Sequence, residues 1–272
     1  MKTLPKIKIT VLNDNLPGEV CGSQHGLCFL VEADICFLFD TGPSDIILRN
    51  AHILKVNLDD IPLIVISHGH YDHTGGLPFL TGKKLICHPA ALEPKHRKSD
   101  GSWNGIPIPA SDIRKLFSVT ETREPVWLSS SVVFLGEIPR LTSFESTTTA
   151  FVNDEGLDDF IPDDSGVAIL SSEGLIVISG CAHAGICNIV KHAIKVTGEE
   201  KVVAVMGGFH LKEDNEVTRE TIHCLKDMQV SHVYPSHCTA MEARMAFARE
   251  WESPIITSGS VINLPPPMIE PD

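Results

Sequence analysis

The chain has 272 residues, 43% hydrophobic and 21% charged, with 35 Asp+Glu against 22 Lys+Arg and a formal net charge of −13. Its apolar content excludes wholesale disorder, glycine and proline are too sparse for a fibrous chain, and no stretch reaches the roughly 18 apolar residues of a membrane span. The acidic balance argues against nucleic acid as a partner, because neutralising phosphates needs clustered Lys and Arg.

In chain order, 7–12, 27–32 and 35–39 read as strands, being short, apolar and bounded by turn or polar residues. Residues 46–54 read as a helix, 63–67 as a strand, 75–80 as a short helix and 85–88 as a strand. The proline-rich 89–115, with the basic patch Lys95-His96-Arg97-Lys98, reads as an irregular insertion or lid. Further strands are expected at 132–135, 166–170, 175–179, 202–206 and 232–234, and helices at 185–196, 216–228 and 239–250. The last would start in a capping box of Thr239 with Glu242. Strands interleaved with helices in both halves suggest two packed sheets with helices outside, an αββα sandwich. One domain over 1–264 with a tail at 265–272 is expected. The basic N-terminus has no apolar run of signal-peptide length. The eight cysteines lack CxxC pairing and read as free thiols of a reducing, cytoplasmic compartment, Cys28 and Cys36 among them as core residues.

The most informative stretch is Ser67-His68-Gly69-His70-Tyr71-Asp72-His73-Thr74-Gly75-Gly76, directly after the apolar run 63–66. Three histidines and a carboxylate at a strand end are costly to place together unless a cation satisfies them. Neutral imidazole nitrogens and carboxylate oxygens are what zinc, iron or manganese accept. Alternation puts His68 and His70 on one side of an extended segment, with Asp72 and His73 on the following turn, enough to begin two adjacent metal sites.

This H-x-H-x-D-H pattern resembles the signature of the metallo-β-lactamase superfamily, and Phe39-Asp40-Thr41-Gly42 resembles that family's strand-end DTG. The resemblance implies an α/β fold, an αββα sandwich of two mixed β-sheets flanked by helices. It also implies two divalent transition metal ions, zinc with iron or manganese as alternatives: His68 and His70 serve one, Asp72 and His73 the other. Three later segments place a histidine just past a strand, at His183, His210 and His237. Family order makes His237 the last ligand and His183 a further one. His210 follows two glycines that let backbone approach a bound group, and reads as a substrate contact or catalytic group. Asp40 is expected to orient a ligand histidine, and Asp72 to be a ligand with a second role as proton acceptor. Where most members carry a bridging aspartate, this chain has Cys181; where they carry a further histidine, it has Pro162-Asp163-Asp164-Ser165-Gly166. Either Cys181 coordinates as thiolate or it is inert and His183 takes over; either Asp164 replaces the histidine or it caps a strand.

These departures resemble one branch, the 7,8-dihydropterin-6-methyl-4-(β-D-ribofuranosyl)aminobenzene-5′-phosphate synthase family. The motifs that carry the likeness are His25-Gly26, Gly136-Glu137-Ile138-Pro139-Arg140 with Phe144-Glu145, the run from Gly180 to Asn188, Gly207-Gly208-Phe209-His210-Leu211 and His237-Cys238-Thr239. The resemblance implies a C–N bond-forming transfer with diphosphate release, on a small phosphorylated, pterin-like substrate. His25, Arg97, Arg140, Glu145 and His210 are the candidate substrate contacts. Lys95 and Lys98 read either as phosphate ligands or as a solvated basic loop, and the helix N-terminus after Gly185 as a source of N–H donors. Two other readings stand beside it: a metal-dependent hydrolase of a phosphoester or other ester, and a metal-binding redox or sensor protein.

Overall fold

The computed structural model describes residues 6–264, so the expected tail at 265–272 lies outside the described residues. An antiparallel meander of Ile7–Asn13 (β1), Cys28–Glu32 (β2) and Cys36–Phe39 (β3) comes first. The helix Ile46–Ile53 (α1), Leu63–Val65 (β4), the short helix Tyr71–Thr74 (α2), Lys84–Cys87 (β5), His96–Arg97 (β6), the helix Ala110–Leu116 (α3) and Ser118–Glu121 (β7) follow. Then come Val126–Trp127 (β8), Val132–Phe134 (β9), Phe151–Val152 (β10), Gly166–Ser171 (β11) and Gly174–Ser179 (β12). The helix Ile186–Thr197 (α4), Val202–Gly208 (β13), the helix Glu216–Asp227 (α5), His232–Ser236 (β14), the helix Met241–Ala248 (α6) and Val261–Leu264 (β15) complete the order. One seven-stranded sheet runs β15-β1-β2-β3-β4-β5-β7, a six-stranded sheet runs β14-β13-β12-β11-β9-β8, and β6 pairs with β10 as a separate ribbon.

The sheets pack face to face because their inner residues are apolar and fully buried, Phe29, Phe37, Phe39, Phe134, Ile176 and Met206 among them. Ile47 and Ala51 of α1 and Ile113 of α3 cover the outer face of the first sheet. Ile189 of α4, Leu225 of α5 and Phe247 of α6 cover the second. This is the expected αββα sandwich. Strands β3, β4 and β5 are mutually parallel, as are β12, β13 and β14. Crossover connections thus leave several carboxyl ends at one edge, where open α/β sheets place their ligands.

Several local expectations are corrected. The helix expected at 75–80 is instead α2 at Tyr71–Thr74 followed by a 3-10 turn at Leu77–Phe79. Gly75 and Gly76 lie so close to the carbonyls of Pro43 and Thr41 that an added Cβ would sit 2.0 and 2.1 Å from them. Segment 89–115 is irregular only in part: it holds a 3-10 turn at Pro89–Leu92, β6 and most of α3, with 98–109 outside any helix or named strand. Strands β7, β8, β10 and β15 are unpredicted because they are short and partly exposed, so no continuous apolar run marks them. The capping box is absent: α6 starts at Met241 without a side-chain cap, and Thr239 Oγ1 accepts instead from the Phe209 amide at 2.9 Å.

Truncating a ring between the sheets tests this core. Phe134→Ala should cost about 3–5 kcal/mol, read as a lowered denaturation midpoint with an unchanged m-value.

Candidate metal centre and cleft

Five strand ends build the site. Asp40 follows β3, Ser67 and His68 follow β4, Cys181 and His183 follow β12, His210 follows β13 and His237 follows β14. The turns are tight: Asp40, Ala182, His210 and His237 all have positive φ, between 45° and 59°, a region non-glycine residues avoid.

Asp40 is the hub. Its Oδ1 accepts from the Ser67 amide at 2.7 Å, and its Oδ2 accepts from Ser67 Oγ at 2.7 Å and contacts His73 Nδ1 at 2.6 Å. Ser67 spends its proton on Asp40 and so accepts from His68 Nδ1 at 2.9 Å, which leaves His68 Nε2 with a lone pair. His73, donating Nδ1–H to Asp40, likewise presents a bare Nε2. On the opposite side, Asn15 Oδ1 is fixed as an acceptor by the Gly26 amide at 3.0 Å. It contacts His237 Nδ1 at 3.0 Å, so His237 Nε2 is bare as well.

These lone pairs face one another. His73 Nε2 lies 3.1 Å from His237 Nε2, and Asp72 Oδ2 lies 3.6 and 3.4 Å from the two. A tetrahedral ion with bonds of about 2.1 Å holds its ligand atoms about 3.4 Å apart. A second group joins His68, His70 and His183, with ligand atoms all within 4.8 Å; His68 Nε2 lies 2.9 Å from His70 Nδ1, and His183 Nε2 is buried without a partner. Two bare nitrogens and a carboxylate oxygen at such separations repel one another until a cation lies among them, so the donor set fits divalent metal. Cys181 sits at the seam, its Sγ 3.3 Å from His73 Nε2 and within 4.8 Å of the ligand atoms of His68, His183, His210, His237 and Cys238 in turn.

The electrostatics agree for His68, His70 and His183, whereas at His73 a proton competes with a cation. Burial pushes His68 and His183 well below the usual histidine range and His70 down to about 3, keeping their nitrogens free for a cation. Burial would lower His73 too, but the Asp40 and Asp72 carboxylates outweigh it and raise that group. Asp72 is held well below the carboxylate range despite burial, by His73, His237 and His25. Burial raises the Cys181 thiol, so a neighbouring cation would be needed to ionise it.

Over this floor lies a cleft of about 640 Å³ lined by Asn15, His25, Arg97, Asn104, Phe151, His210 and Lys212 among others. Its roof is the β6/β10 ribbon, in which Arg97 and Phe151 are cross-strand partners. His25 is exposed, with Nε2 3.2 Å from Asp72 Oδ2. Arg97 and Lys212 make no ion pair among the described residues, whereas Lys98 is paired with Asp158. His210 Nδ1 is buried without a partner.

Other expected residues lie elsewhere. Lys95 is neither solvated nor a phosphate ligand: it is 1% exposed and paired with Asp163 Oδ1 at 2.7 Å, while Asp163 Oδ2 accepts from the Gly69 amide at 2.7 Å. The pair thereby ties the ribbon to the His68–His70 loop. Arg140 does not reach the cleft; its guanidinium holds Ser146 Oγ at 2.8 Å and the carbonyls of Phe160 and Ile161. The N-terminus of α4 is not free for phosphate, because Glu145 accepts from the Cys187 and Asn188 amides at 2.9 and 3.1 Å. Gly185 makes room for it, since an added Cβ there would lie 2.4 Å from Glu145 Cδ. Asp164 accepts from the Ala184 amide at 2.9 Å, bracing the His183 turn, and burial pushes its carboxyl up to about 7. Gly207 and Gly208 serve close packing onto Ser179 and Gly180 rather than approach to a bound group. Asn15, Phe151 and Lys212 are absent from the sequence reading, and Asp163 enters it only as part of the 162–166 segment, with no role of its own. The polar triplet Asn13-Asp14-Asn15 after an apolar strand is the one available signal, and Asp14 Oδ2 does accept from the His237 amide at 2.9 Å.

An αββα sandwich with this histidine and carboxylate cluster at its strand ends defines a class: the metallo-beta-lactamase superfamily model matches residues 22–188, and the chain belongs to that superfamily. It is a metal-dependent enzyme resembling one curated member in particular. The 7,8-dihydropterin-6-methyl-4-(beta-D-ribofuranosyl)-aminobenzene-5'-phosphate synthase of Methanocaldococcus jannaschii is 35% identical over 273 residues, covering 90% of this chain and 92% of the relative. An uncharacterised protein of the same organism is 31% identical over 86% of this chain and 91% of its own. A solved metal-dependent hydrolase of the beta-lactamase superfamily superposes with a TM-score of 0.83 at 30% identity, over 94% of this chain and 98% of that one.

Two substitutions test the supports. Asp40→Asn should weaken metal binding about 10–100-fold, measured by titration against a competing chelator. Lys95→Ala, which strands the Asp163 carboxylate, should cost about 3–5 kcal/mol of stability in the metal-replete protein, read by denaturant titration.

Proposed function

We propose that the protein is a dinuclear-metal transferase. It joins the methylene carbon of a dihydropterin-6-methyl diphosphate to the aromatic amine of 4-(β-D-ribofuranosyl)aminobenzene 5′-phosphate. The kinship with the synthase across 90% of the chain carries this reading. The cleft supports it: an enzyme of net charge −13 keeps two cations without an ion pair among the described residues, Arg97 and Lys212, for an anionic ligand beside the histidine floor. The eight free thiols suit a reducing, cytoplasmic compartment.

His68, His70 and His183 would hold one ion and Asp72, His73 and His237 the other, with Cys181 between them. The nitrogen-rich donor set favours zinc, with iron or manganese as the alternatives. When bound, the ions supply the positive charge that stabilises a departing diphosphate. Arg97 and Lys212 hold the phosphorylated ribose, and Phe151 packs against an aromatic ring. As the amine nitrogen bonds to the methylene carbon, the carbon–oxygen bond to diphosphate breaks and diphosphate leaves with the electron pair. Asp72 is occupied by His25, His73 and His237. The unpartnered Nδ1 of His210 therefore takes the proton that the amine loses.

The solved relative described as a hydrolase favours a second reading, with water in place of the amine. Incubating the metal-replete protein with both transferase substrates, and separately with phosphodiester and thioester substrates, decides between them. Coupled product and diphosphate are expected in equal amounts; turnover of esters alone rejects the transferase. His210→Ala should lower kcat about 10²–10⁴-fold at unchanged metal content.

A further inference from the structure

Two cavities meet at the His183–His210 pair, whose ring centroids are 4.4 Å apart. One is the cleft described above. The other, of about 190 Å³, is walled by Phe151, Phe160 and Phe209, edged by Thr147, Thr148 and Thr149, and floored at one side by Glu145. No Lys or Arg lines it among the described residues. Its volume falls below the roughly 300–1,000 Å³ of sites for drug-sized ligands, so it suits one bicyclic ring and not a ring bearing a sugar phosphate. Cys187, Asn188 and Thr142 donate to the Glu145 carboxylate and fix it at the cavity edge, where it offers acceptor oxygen and no donor to a ligand. Aromatic walls, hydroxyls and one carboxylate acceptor fit a flat, uncharged, N–H-rich heterocycle and repel a phosphate.

Resting on the transferase reading, we infer that the small cavity is the pterin subsite and the large cleft holds the arylamine ribose phosphate. The reacting methylene then lies at the seam, beside His183, His210 and the metal cluster. The opposite assignment would set a phosphate against Glu145, with the nearby Arg140 guanidinium already engaged by Ser146 and the Phe160 and Ile161 carbonyls, and leave Arg97 and Lys212 facing a neutral ring.

Equilibrium binding to the metal-replete full chain tests this without turnover. The probes are 6-hydroxymethyl-7,8-dihydropterin, followed by its fluorescence, and 4-(β-D-ribofuranosyl)aminobenzene 5′-phosphate, followed by calorimetry. Thr148→Trp, which fills the small cavity from an exposed loop, should weaken the pterin about tenfold or more and leave the arylamine phosphate unchanged. Phe160→Ala, which removes a wall, should act on the same ligand, so that a filling and a deleting variant together separate occupancy from misfolding. Arg97→Ala should do the reverse, weakening only the phosphate. Swapped effects, or no pterin binding by the unaltered protein, overturn the assignment. The expected binding pattern without any coupled product supports the subsites and overturns the transferase reading alone.

Discussion

The Asp40 carboxylate is the constraint on which the rest depends. It is fully buried at the end of β3, and its acceptor positions are taken by the Ser67 amide, the Ser67 hydroxyl and His73. A buried carboxylate is tolerated only where hydrogen bonds replace water. Here those bonds fix β3 against the turn after β4 and set the tautomers of two histidines. Its positive φ of 59° is a local strain that the surrounding bonds overcome. Because His68 is oriented through Ser67 and His73 directly, one residue outside the donor cluster determines which nitrogens of these two face the centre.

A second anchor, unrelated in sequence, answers it from above. Lys95 and Asp163 form a buried ion pair, and Asp163 spends its other oxygen on the Gly69 amide. Gly69 itself is held so close to Ala91 that an added Cβ would lie 2.1 Å from its carbonyl. The loop carrying His68 and His70 is thus gripped from two sides. The β6/β10 ribbon that roofs the cleft is fixed to the same grip, so floor and roof share a support. A buried pair of this kind adds little net stability, since desolvation offsets attraction. Its use is positional.

The strong periodic strands and helices, and the cluster His68, His70, Asp72 and His73, are legible because each is a local pattern: an apolar run bounded by turns, or several donors within one turn of chain. What is illegible depends on partners distant in sequence. Lys95 looks like part of a solvated basic patch until Asp159 and Asp163 are brought to it by the ribbon. Glu145 reads as a candidate substrate contact, and its anchoring to the α4 N-terminus shows only once the fold brings that helix to it. Arg140 carries a suggestive motif, yet carbonyls of the 160–161 turn claim its guanidinium. Thr239 and Glu242 have capping-box spacing, but the Phe209 amide competes for the hydroxyl and wins. In each case a long-range hydrogen bond overrides a correct local preference.

The same dependence bears on whether amine or water reacts. The donor cluster serves both outcomes alike, because bound metal assists transfer and hydrolysis equally. Discrimination has to come from the chain above the floor. Phe151 packs its ring 4.3 Å from that of His70 and lines both cavities, so it places apolar surface directly over the donor cluster. A water entering there would lose hydrogen-bond partners on that side, while an aromatic amine would gain ring contacts with Phe151 and charge contacts at Arg97 and Lys212. Under the transferase reading, the ribbon sets the choice of nucleophile and the histidine floor sets the departure of diphosphate. The Lys95–Asp163 pair is then what keeps those two functions in register.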